Sequence, residues 1–497
     1  MKLIPFFVII PLSCAFIITL FRNRLRFLPG LLCVFSTFLL LGLSIHTKGS
    51  LAEGVSFVYK VGNWMPPIGI SLVIDGLSSF MLVVINLIAF VVALFSIEYM
   101  KRFTARWNFF ALFLLMLGGT NAVVISGDLF NLFVFLELAS ISSAALVAFG
   151  TEHEEIEAAF KYLVMSVVGS LFVLLAIALL YSYTSTLNMA DIAMSLQAGS
   201  AGILIPFVSV LFIMGFGLKA GLVPFHAWLP DTYTAAPTPV SALMSGVFTK
   251  SLGVYTLMRI LFNVLGVTPQ LSKILMVLGA LSMVFAVTLA VGQWDFKRLL
   301  AYHSISQIGY VVMSIGLMTP LGILAGLFHL FNHSTFKSLL FLNAGAVEYA
   351  ADTRDLNKLG GLRKKMPVTG NTSLVASMAI SGIPPFNGFW SKLMIILACV
   401  QANAIGFAIW ATLASILTLV SFAKLQKFAF FGALPEQLKN IKEVPLLMRL
   451  PMIVLALICT FGAVLLLSPV AGNFLQPAVR VLLDGQLYAF RVVEALR

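Results

Sequence analysis

Long apolar runs follow one another from one end of this chain to the other, and they constrain its fold more than any other feature. A bilayer core takes about 20 apolar residues per helix, and the runs reach that length instead of showing the ten-residue alternation of a β-barrel. Of the 497 residues, 60% are hydrophobic and only 10% are charged, which leaves too little polar surface for a soluble globule. The sequence therefore predicts an all-α polytopic membrane protein embedded in the lipid bilayer.

Counting the runs predicts about fourteen transmembrane helices. The stretch from Met1 to Leu20 is interpreted as the first retained helix, because no small-residue cleavage site stands out before Arg22. The predicted helices cover roughly 3–21, 27–45, 70–98, 107–126, 129–150, 158–184, 203–229, 236–263, 271–291, 298–317, 321–347, 369–402, 405–430 and 448–469.

Cations concentrate in the odd-numbered connections between these helices. Those connections hold Arg22, Arg24, Arg26, Lys101, Arg102, Arg106, Lys297, Arg298, Arg354, Lys358, Arg363, Lys364, Lys365, Lys424, Lys427, Lys439 and Lys442. The even-numbered connections offer little beyond Lys48 and Lys60. By the positive-inside rule the odd connections are cytoplasmic and both termini lie outside the cytoplasm. The net charge of +12 is thus a signal of topology, and it implies no nucleic-acid partner.

Two proline-interrupted segments echo each other. Residues 221–228 read Gly-Leu-Val-Pro-Phe-His-Ala-Trp, and residues 382–389 read Gly-Ile-Pro-Pro-Phe-Asn-Gly-Phe. The two segments match in register at five positions: a glycine, an aliphatic residue, a proline, a phenylalanine and a final aromatic residue. Paired interrupted helices are the sequence pointer to an internally repeated transporter, whose ion site lies where irregular backbone lines a cavity.

Glu137, Lys219 and Lys250 lie inside predicted helices, where charge is costly. A buried carboxylate needs a proton or a cation, and Lys219, just before the first proline break, and Lys250, in the following helix, are its natural partners. A lysine can trade its proton with a carboxylate, whereas an arginine stays charged. The alternatives are a static ion pair that locks two helices and, for Lys250, snorkelling to the interface.

His329, His333 and Lys337 follow at i, i+4 and i+8, which places three titratable groups on one helix face. Ordinary hydrogen-bonded core histidines are the alternative; a metal or haem site lacks a visible third ligand or attachment motif. Lys392 follows the second proline break. Together Glu137, Lys219, Lys250, His329, His333, Lys337 and Lys392 form a candidate lateral file of ionisable groups, and such residues mark a proton or ion path.

The remaining polar features are weaker. Asp75 is predicted to cap the third helix, and the acidic run 152–157 to form a solvated loop and helix start. His303 is either a group on the entry side of the path or merely interfacial. The cysteines, Cys14, Cys33, Cys399 and Cys459, are predicted to be small core side chains. No phosphate-binding, dinucleotide or nucleophile motif occurs, so no cofactor or metal is predicted.

At these residues the chain resembles the antiporter-like subunits shared by respiratory complex I, membrane-bound hydrogenases and multisubunit Mrp-type Na+/H+ antiporters. The resemblance rests on Phe-Leu-Glu-Leu at 135–138, Gly-Leu-Lys-Ala-Gly-Leu-Val-Pro-Phe-His-Ala-Trp-Leu-Pro-Asp at 217–231, Ala-Pro-Thr-Pro-Val-Ser-Ala-Leu at 236–243, the Lys250 helix, the stretch from His329 to Lys337 and Trp-Ser-Lys at 390–392. It implies fourteen helices with two inverted five-helix repeats, each containing a broken helix. One integral membrane domain would then hold helices 1–3 at about 1–100, the repeats at about 107–263 and 271–430, and the last helix and tail at about 448–497. It also implies that Glu137, Lys219, Lys250, His333 and Lys392 belong to a proton pathway.

Within that family the pattern looks most like the D-type component of an Mrp antiporter. The M-type complex I component has a glutamate where Lys392 stands, which argues against the M-type assignment. His303 departs from the small hydroxyl residue of many relatives. The resulting hypothesis is a subunit of the inner (plasma) membrane that passes protons from a half-channel near Glu137 and Lys219 to Lys392. Na+ would move the other way, through partner subunits of the complex. The alternatives are a proton-pumping subunit of a complex I-type NADH dehydrogenase or a hydrogenase, without its own redox site; a non-conducting scaffold; and an independent solute symporter.

Overall fold

The computed structural model describes residues 2–22, 27–51, 54–199, 202–485 and 487–496, so the predicted cytoplasmic cations Arg24 and Arg26 lie outside the described residues. The helices are α1 (Phe6–Leu20), α2 (Leu28–Ser50), α3 (Gly76–Tyr99), α4 (Arg106–Ile125), α5 (Leu129–Val147), α6 (His153–Thr184), α7 (Met189–Ala198), α8 (Leu204–Ala220), α9 (Trp228–Ala235), α10 (238–265), α11 (Pro269–Val291), α12 (Phe296–Gly316), α13 (Pro320–Ala351), α14 (Pro367–Ser381), α15 (Asn387–Gln401), α16 (Ile405–Leu425), α17 (Leu446–Phe461), α18 (Ser468–Phe474), α19 (Gln476–Leu483) and α20 (Leu487–Leu496). Short 3₁₀ turns occupy Val61–Asn63, Met100–Arg102, Leu356–Lys358, Leu362–Lys364, Glu436–Leu438 and Gly462–Leu466. A π-helical turn, Gln426–Phe430, extends α16.

Many of the helices have the length and composition of membrane-spanning segments. Within the described ranges, eight helices are long and apolar enough to cross a membrane: α2, α3, α4, α5, α6, α11, α16 and α17. Large hydrophobic side chains are exposed on several helices, among them Phe16, Phe38, Phe160 and Ile416. Helices satisfy their own backbone hydrogen bonds, which lipid requires. The all-α membrane fold is thus confirmed, while the number of spans and their grouping into inverted repeats stay predictions.

Three helices at the centre are shielded from lipid, and they can therefore carry polar groups. Every residue from 236 to 265, which includes α10, and every residue from 325 to 347 of α13 is buried. Most of α12 is buried as well. Two π-helical stretches, Met244–Tyr255 and Arg259–Leu265, widen α10, and such stretches often occur at functional sites.

The odd-numbered connections meet at one end of the bundle. Arg354 Nη1 donates to the Thr234 carbonyl at 2.9 Å, and Arg354 Nε lies 3.1 Å from Asp295 Oδ2. Asp231 pairs with Lys161 at 3.0 Å and with Arg298 at 3.3 Å. This meeting of distant connections agrees with the parity of the cations along the sequence.

The even-numbered connections meet at the other end. A hairpin of β1 (Phe57–Lys60) and β2 (Ser71–Ile74), which the sequence analysis did not predict, pairs Phe57 with Ile74 in antiparallel register. Isolated bridges join Leu72 to Ser126 and Asp128 to Asn188. These strands and the short helices α7 and α18–α20 were missed because each is too short to stand out as an apolar run.

The two echoing segments share one backbone geometry. Prolines break each predicted run, so α8 ends before Gly221 and α14 ends before Gly382. Both glycines have left-handed φ values, 71° and 78°, and each donates its amide hydrogen back to the helix at 3.1 Å. Glycine is favoured at such a helix end because it has no Cβ. A cis peptide bond precedes Pro224 in the first break and Pro385 in the second.

The sixth predicted helix starts earlier than predicted, at His153 instead of about residue 158. Glu152 is the N-cap residue, and Glu155 Oε2 accepts a hydrogen bond from its backbone amide at 2.9 Å. This capping box satisfies amide groups that a helix start leaves free. The acidic run therefore forms the N-terminus of this helix, which confirms the predicted helix start.

Candidate functional site

Glu137 and Lys219 meet where α5, α6 and α8 pack together. Glu137 Oε1 lies 3.7 Å from Lys219 Nζ; the lysine side chain is 1% exposed and the glutamate side chain 27%. Lys219 stands in the last turn of α8, where the helix dipole favours a cation. The predicted pairing of Glu137 with a lysine is confirmed for Lys219.

Three serines, which the sequence analysis missed, surround this pair. Lys219 Nζ donates to Ser140 Oγ at 2.9 Å and to Ser166 Oγ at 2.6 Å. Ser170 Oγ donates to Glu137 Oε1. Ser166 and Ser170 are four residues apart, so both lie on the face of α6 that points to the pair. Serine hydroxyl groups therefore form hydrogen bonds with both the Glu137 carboxylate and the Lys219 ammonium, in addition to the ion pair between the two.

Lys250 does not pair with Glu137. It is fully buried in the π-helical part of α10, and its ammonium donates to the Ser245 carbonyl of the preceding turn. The alternative of snorkelling to the interface is wrong, because the side chain stays inside the protein core.

A polar cluster lies between Lys250 and Lys337 where α10, α12 and α13 meet. Ser245 Oγ and Ser304 Oγ lie 3.0 Å apart, and Ser304 Oγ is 3.1 Å from the Leu300 carbonyl oxygen. Lys337 donates to that same carbonyl. We call Ser245, Ser304 and the Leu300 carbonyl the serine bridge. It brings two lysines that are 87 positions apart in sequence to one polar cluster.

The two histidines of α13 continue the polar region beyond Lys337. Their ring centroids lie 6.5 Å apart, and His329 Nδ1 lies 2.9 Å from Ser391 Oγ. In the part of the chain that the structure describes, His329 Nε2, both His333 nitrogens and the Asn387 amide have no protein partner although they are buried. Buried polar atoms are nearly always hydrogen-bonded to protein or to ordered water. This stretch is therefore suited to hold water beside the imidazoles.

Lys392 lies at the far end of the file. Its Nζ is 3.2 Å from Ser415 Oγ and 5.0 Å from the centroid of the Tyr310 ring. The Tyr310 ring is in turn 5.5 Å from the ring of His329. Since Ser391, the partner of His329, precedes Lys392 in α15, the histidine and the lysine share two neighbours.

The cations of this half of the site lack acidic partners. Among the residues described, no carboxylate forms an ion pair with Lys250, Lys337 or Lys392, and each bonds only to a neutral oxygen. Buried ammonium groups without counter-ions are costly, and a proton on one raises the cost of a proton on the next. Groups of three His, Cys, Asp or Glu side chains that could hold a metal ion are absent from the described ranges.

Lys219 and Lys250 lie on helices whose backbones touch. A methyl group added at Gly253 of α10 would lie 2.5 Å from Ala220 Cα of α8. The described residues contain no direct hydrogen bond between the two lysines. A continuous connection along the file therefore requires water at this step, and it stays a proposal.

Asp75 and Arg259 form a second buried acid–base pair, of which the sequence analysis found only the acid. Asp75 Oδ1 accepts from the Leu77 and Ser78 amides, so the predicted helix cap is confirmed. The same carboxylate receives two hydrogen bonds from Arg259, at 2.6 and 2.8 Å. Arg259 was missed although a lone arginine inside an apolar run was a usable signal.

His303 is fully buried and packs against Phe422, with ring centroids 4.8 Å apart, so the interfacial alternative is wrong. Neither of its ring nitrogens has a protein partner within the described chain.

The fold and these buried groups define a class: polytopic helical membrane proteins whose core contains a row of ionisable side chains. Residues 126–418, more than half of the chain, match the family model described as NADH:quinone oxidoreductase/Mrp antiporter, TM. Residues 64–110 match NADH-Ubiquinone oxidoreductase (complex I), chain 5 N-terminus. The chain therefore belongs to the family of membrane subunits found in NADH:quinone oxidoreductases and Mrp antiporters.

Relatives from both branches are similar over most of their length. The D-type component of the Na(+)/H(+) antiporter of Alkalihalophilus pseudofirmus is 34% identical over 98% of this chain and 99% of its own. The N-type component of the NADH-quinone oxidoreductase of Desulforudis audaxviator is 35% identical over 86% of each. A protein in the structure of the Mrp complex from Dietzia sp. DQ12-45-1b is 27% identical with a TM-score of 0.91, covering 99% of both chains.

Proposed function

We propose that this chain is the proton-translocating subunit of a multisubunit cation/proton antiporter of the Mrp type. Protons move along the file of Glu137, Lys219, Lys250, His329, His333, Lys337 and Lys392 and leave by Lys392. Na+ moves the other way through partner subunits of the same membrane complex. The similarity to the D-type component of an antiporter, over nearly the full length of both chains, supports this branch. The complex resides in the inner (plasma) membrane, with both termini of this chain outside the cytoplasm.

One observation carries the proposal: Lys250, Lys337 and Lys392 are buried, and their hydrogen-bond partners are neutral. Lysines that merely hold helices together would be expected to face carboxylates, because breaking or omitting a buried pair is costly. Lysines that exchange protons need neutral partners that accept either protonation state, and hydroxyl and carbonyl oxygens meet that need.

The Glu137–Lys219 pair serves as the switch in this proposal. At 3.7 Å the carboxylate stabilises the ammonium, and the serines hold both groups when they separate. Withdrawal of Glu137 would make the proton on Lys219 costlier and push it toward Lys250. Glu137 is the more exposed partner, so a neighbouring subunit is well placed to move it.

The test is proton movement in inverted membrane vesicles that contain the whole complex, followed with a pH-sensitive dye after a Na+ pulse. Lys219→Met should abolish the movement. Lys161→Met is the matched control, because Lys161 forms exposed ion pairs with Glu157 and Asp231. Both variants must assemble, as judged by purification of the complex. Normal proton movement in assembled Lys219→Met would contradict the proposal. Assembled Lys392→Ala that is less stable but transports normally would favour a scaffold.

The similarity to the N-type component of an NADH-quinone oxidoreductase supports a second candidate, a proton-pumping subunit of a redox complex. Copurification in mild detergent separates the two. Small membrane subunits alone would support the antiporter, whereas iron–sulfur or nickel–iron proteins would support the redox complex. Transport by the isolated chain would instead support an independent solute symporter.

A further inference from the structure

A polar cavity of about 390 Å³ lies at the end of the bundle where the odd-numbered connections meet. Its wall includes Tyr99, Glu155, Ala236, Lys297, Glu348 and Arg354. The positive-inside rule assigns this end to the cytoplasm. None of the ionisable residues of the file lines this cavity, but α10 and α13, which carry four of them, contribute to its wall or lie beside it.

Titratable groups face one another across this cavity. Glu348 Oε2 accepts hydrogen bonds from the Tyr99 and Thr238 hydroxyls, each at 3.0 Å, and Glu348 Oε1 lies 3.6 Å from Arg354 Nη1. Lys297 is buried, and its ammonium donates to the Ala236 carbonyl at the junction of α9 and α10. A carboxylate and a buried amine thus line one water-accessible space.

Helix α12 connects the cavity to the file. Lys297, Leu300 and Ser304 are spaced i, i+3 and i+7, so they follow one face of the helix. Leu300 is about 4.5 Å further along the helix axis than Lys297. Its carbonyl oxygen accepts a hydrogen bond from Lys337. Ser304 then reaches Ser245, beside Lys250. Ser304 is seven residues beyond Lys297, about 10.5 Å along the helix axis, so water must span the distance between the cavity and the serine bridge.

We propose that this cavity is the cytoplasmic proton intake of the chain. Glu348 takes up a proton from the cytoplasmic water and releases it to Lys297 in its neutral amine form. Lys297 passes the proton, through water along the Leu300–Ser304 face of α12, to Lys337 after Lys337 has given up its own proton to the file. This inference rests on the proposed function and refines it. From the sequence, proton intake is expected near Glu137 and Lys219. In this proposal those two residues act as the switch, and cytoplasmic protons join the file at its middle.

The competing role for these residues is structural. Arg354, Asp295 and Glu348 form an ion-pair network that also holds the Thr234 carbonyl, and Lys297 could serve only to anchor the Ala236 carbonyl. An arginine at position 297 separates the two roles, because it keeps the charge and the hydrogen-bond donors but does not release its proton.

The first experiment compares Lys297→Arg with Lys297→Met in the assembled complex, in inverted vesicles. Intake through Lys297 predicts that proton movement falls about tenfold or more in both variants. An anchoring role predicts that Lys297→Arg works like the unchanged protein. Full activity of Lys297→Arg would therefore overturn the intake role of Lys297.

The second experiment tests the cavity itself. Thr353 lies in its wall, whereas Thr104 is exposed on the same side of the bundle and outside the cavity. Thr353→Cys and Thr104→Cys are treated with a positively charged, membrane-impermeant thiol reagent from the cytoplasmic side, and labelling is checked by mass spectrometry. Proton movement should stop in Thr353→Cys and continue in Thr104→Cys. Unchanged movement in fully labelled Thr353→Cys would overturn the intake.

The unchanged complex distinguishes this failure from a failure of the proposed function. If it moves no protons under a Na+ pulse, the proposed function fails and the intake fails with it. If it moves protons while labelled Thr353→Cys and Lys297→Arg remain fully active, only the intake is overturned.

Discussion

Removing the carboxylate should have different effects in the two acid–base pairs, Asp75–Arg259 and Glu137–Lys219: the first should lose stability and the second should lose transport. Asp75 and Arg259 side chains are only 3% and 4% exposed and are joined by hydrogen bonds of 2.6 and 2.8 Å. In Asp75→Asn the amide still caps α3, because asparagine is a good N-cap residue. The guanidinium cannot shed its charge. We therefore expect a loss of about 3–5 kcal/mol of stability, the usual effect of leaving a buried charge unpaired.

Glu137→Gln should leave stability nearly unchanged, because Ser140 and Ser166 still hold Lys219 and the lysine can give up its proton. We expect a stability loss below about 1 kcal/mol. Transport should suffer instead. At an effective dielectric constant of about 20, unit charges 3.7 Å apart attract by about 4.5 kcal/mol. Partial exposure of Glu137 reduces this to about 2–3 kcal/mol, which corresponds to proton movement about 30- to 160-fold slower.

Both quantities can be measured on the same preparations. The temperature at which purified complex dissociates, followed by size-exclusion chromatography after heating, reports stability, and dye-based proton movement in vesicles reports transport. The double variant Asp75→Asn/Arg259→Met should recover stability relative to Asp75→Asn, since it removes the unpaired charge. Two results would contradict these expectations: a dissociation temperature of Glu137→Gln as low as that of Asp75→Asn, or transport at the normal rate by assembled Glu137→Gln.

Three further variants test other parts of the structure. Ser166→Ala removes the 2.6 Å hydrogen bond to Lys219 and should slow proton movement about 10-fold or more, since a bond to a charged group contributes about 1.5–3 kcal/mol; a normal rate in the vesicle assay would contradict this. Ser304→Ala interrupts the serine bridge and should slow proton movement, whereas Ser251→Ala, which loses only a bond to Val247 of its own helix, should not; equal rates in the two would argue against the bridge. Gly221→Ala places a side chain at φ 71° with its Cβ 2.5 Å from Leu229, so it should destabilise the complex by about 1–2 kcal/mol. Gly406→Ala, whose added Cβ has no atom of the described residues within 4 Å, is its control in the thermal assay.

Much of the architecture could be predicted from the sequence because it depends on local composition. Apolar runs of bilayer length identified a helical membrane protein, and prolines beside Gly221 and Gly382 identified where two helices break. The acidic N-cap at Asp75 and the pairing of Glu137 with Lys219 were also predictable, since a charge inside an apolar helix requires a cap or a partner.

The environment of those charges was decided by tertiary structure. Ser140, Ser166 and Ser170 hold the Glu137–Lys219 pair, yet a serine in an apolar helix gives no sign of which distant group it will bond. Lys250 was expected to face Glu137, but its ammonium donates to the Ser245 carbonyl of its own π-helical stretch, and the packing of α10 against α12 places Ser245 beside Ser304.

What the sequence by itself determined is that the chain spans the membrane as helices and carries titratable groups inside them, because hydropathy and buried charge are properties of single segments. What only the tertiary structure decided is which of those groups meet, how Arg259 finds Asp75, and that distant connections enclose a cavity beside Lys297 and Glu348. Such contacts join residues tens to hundreds of positions apart, and they arise from the packing of whole helices, which no local pattern of residues specifies.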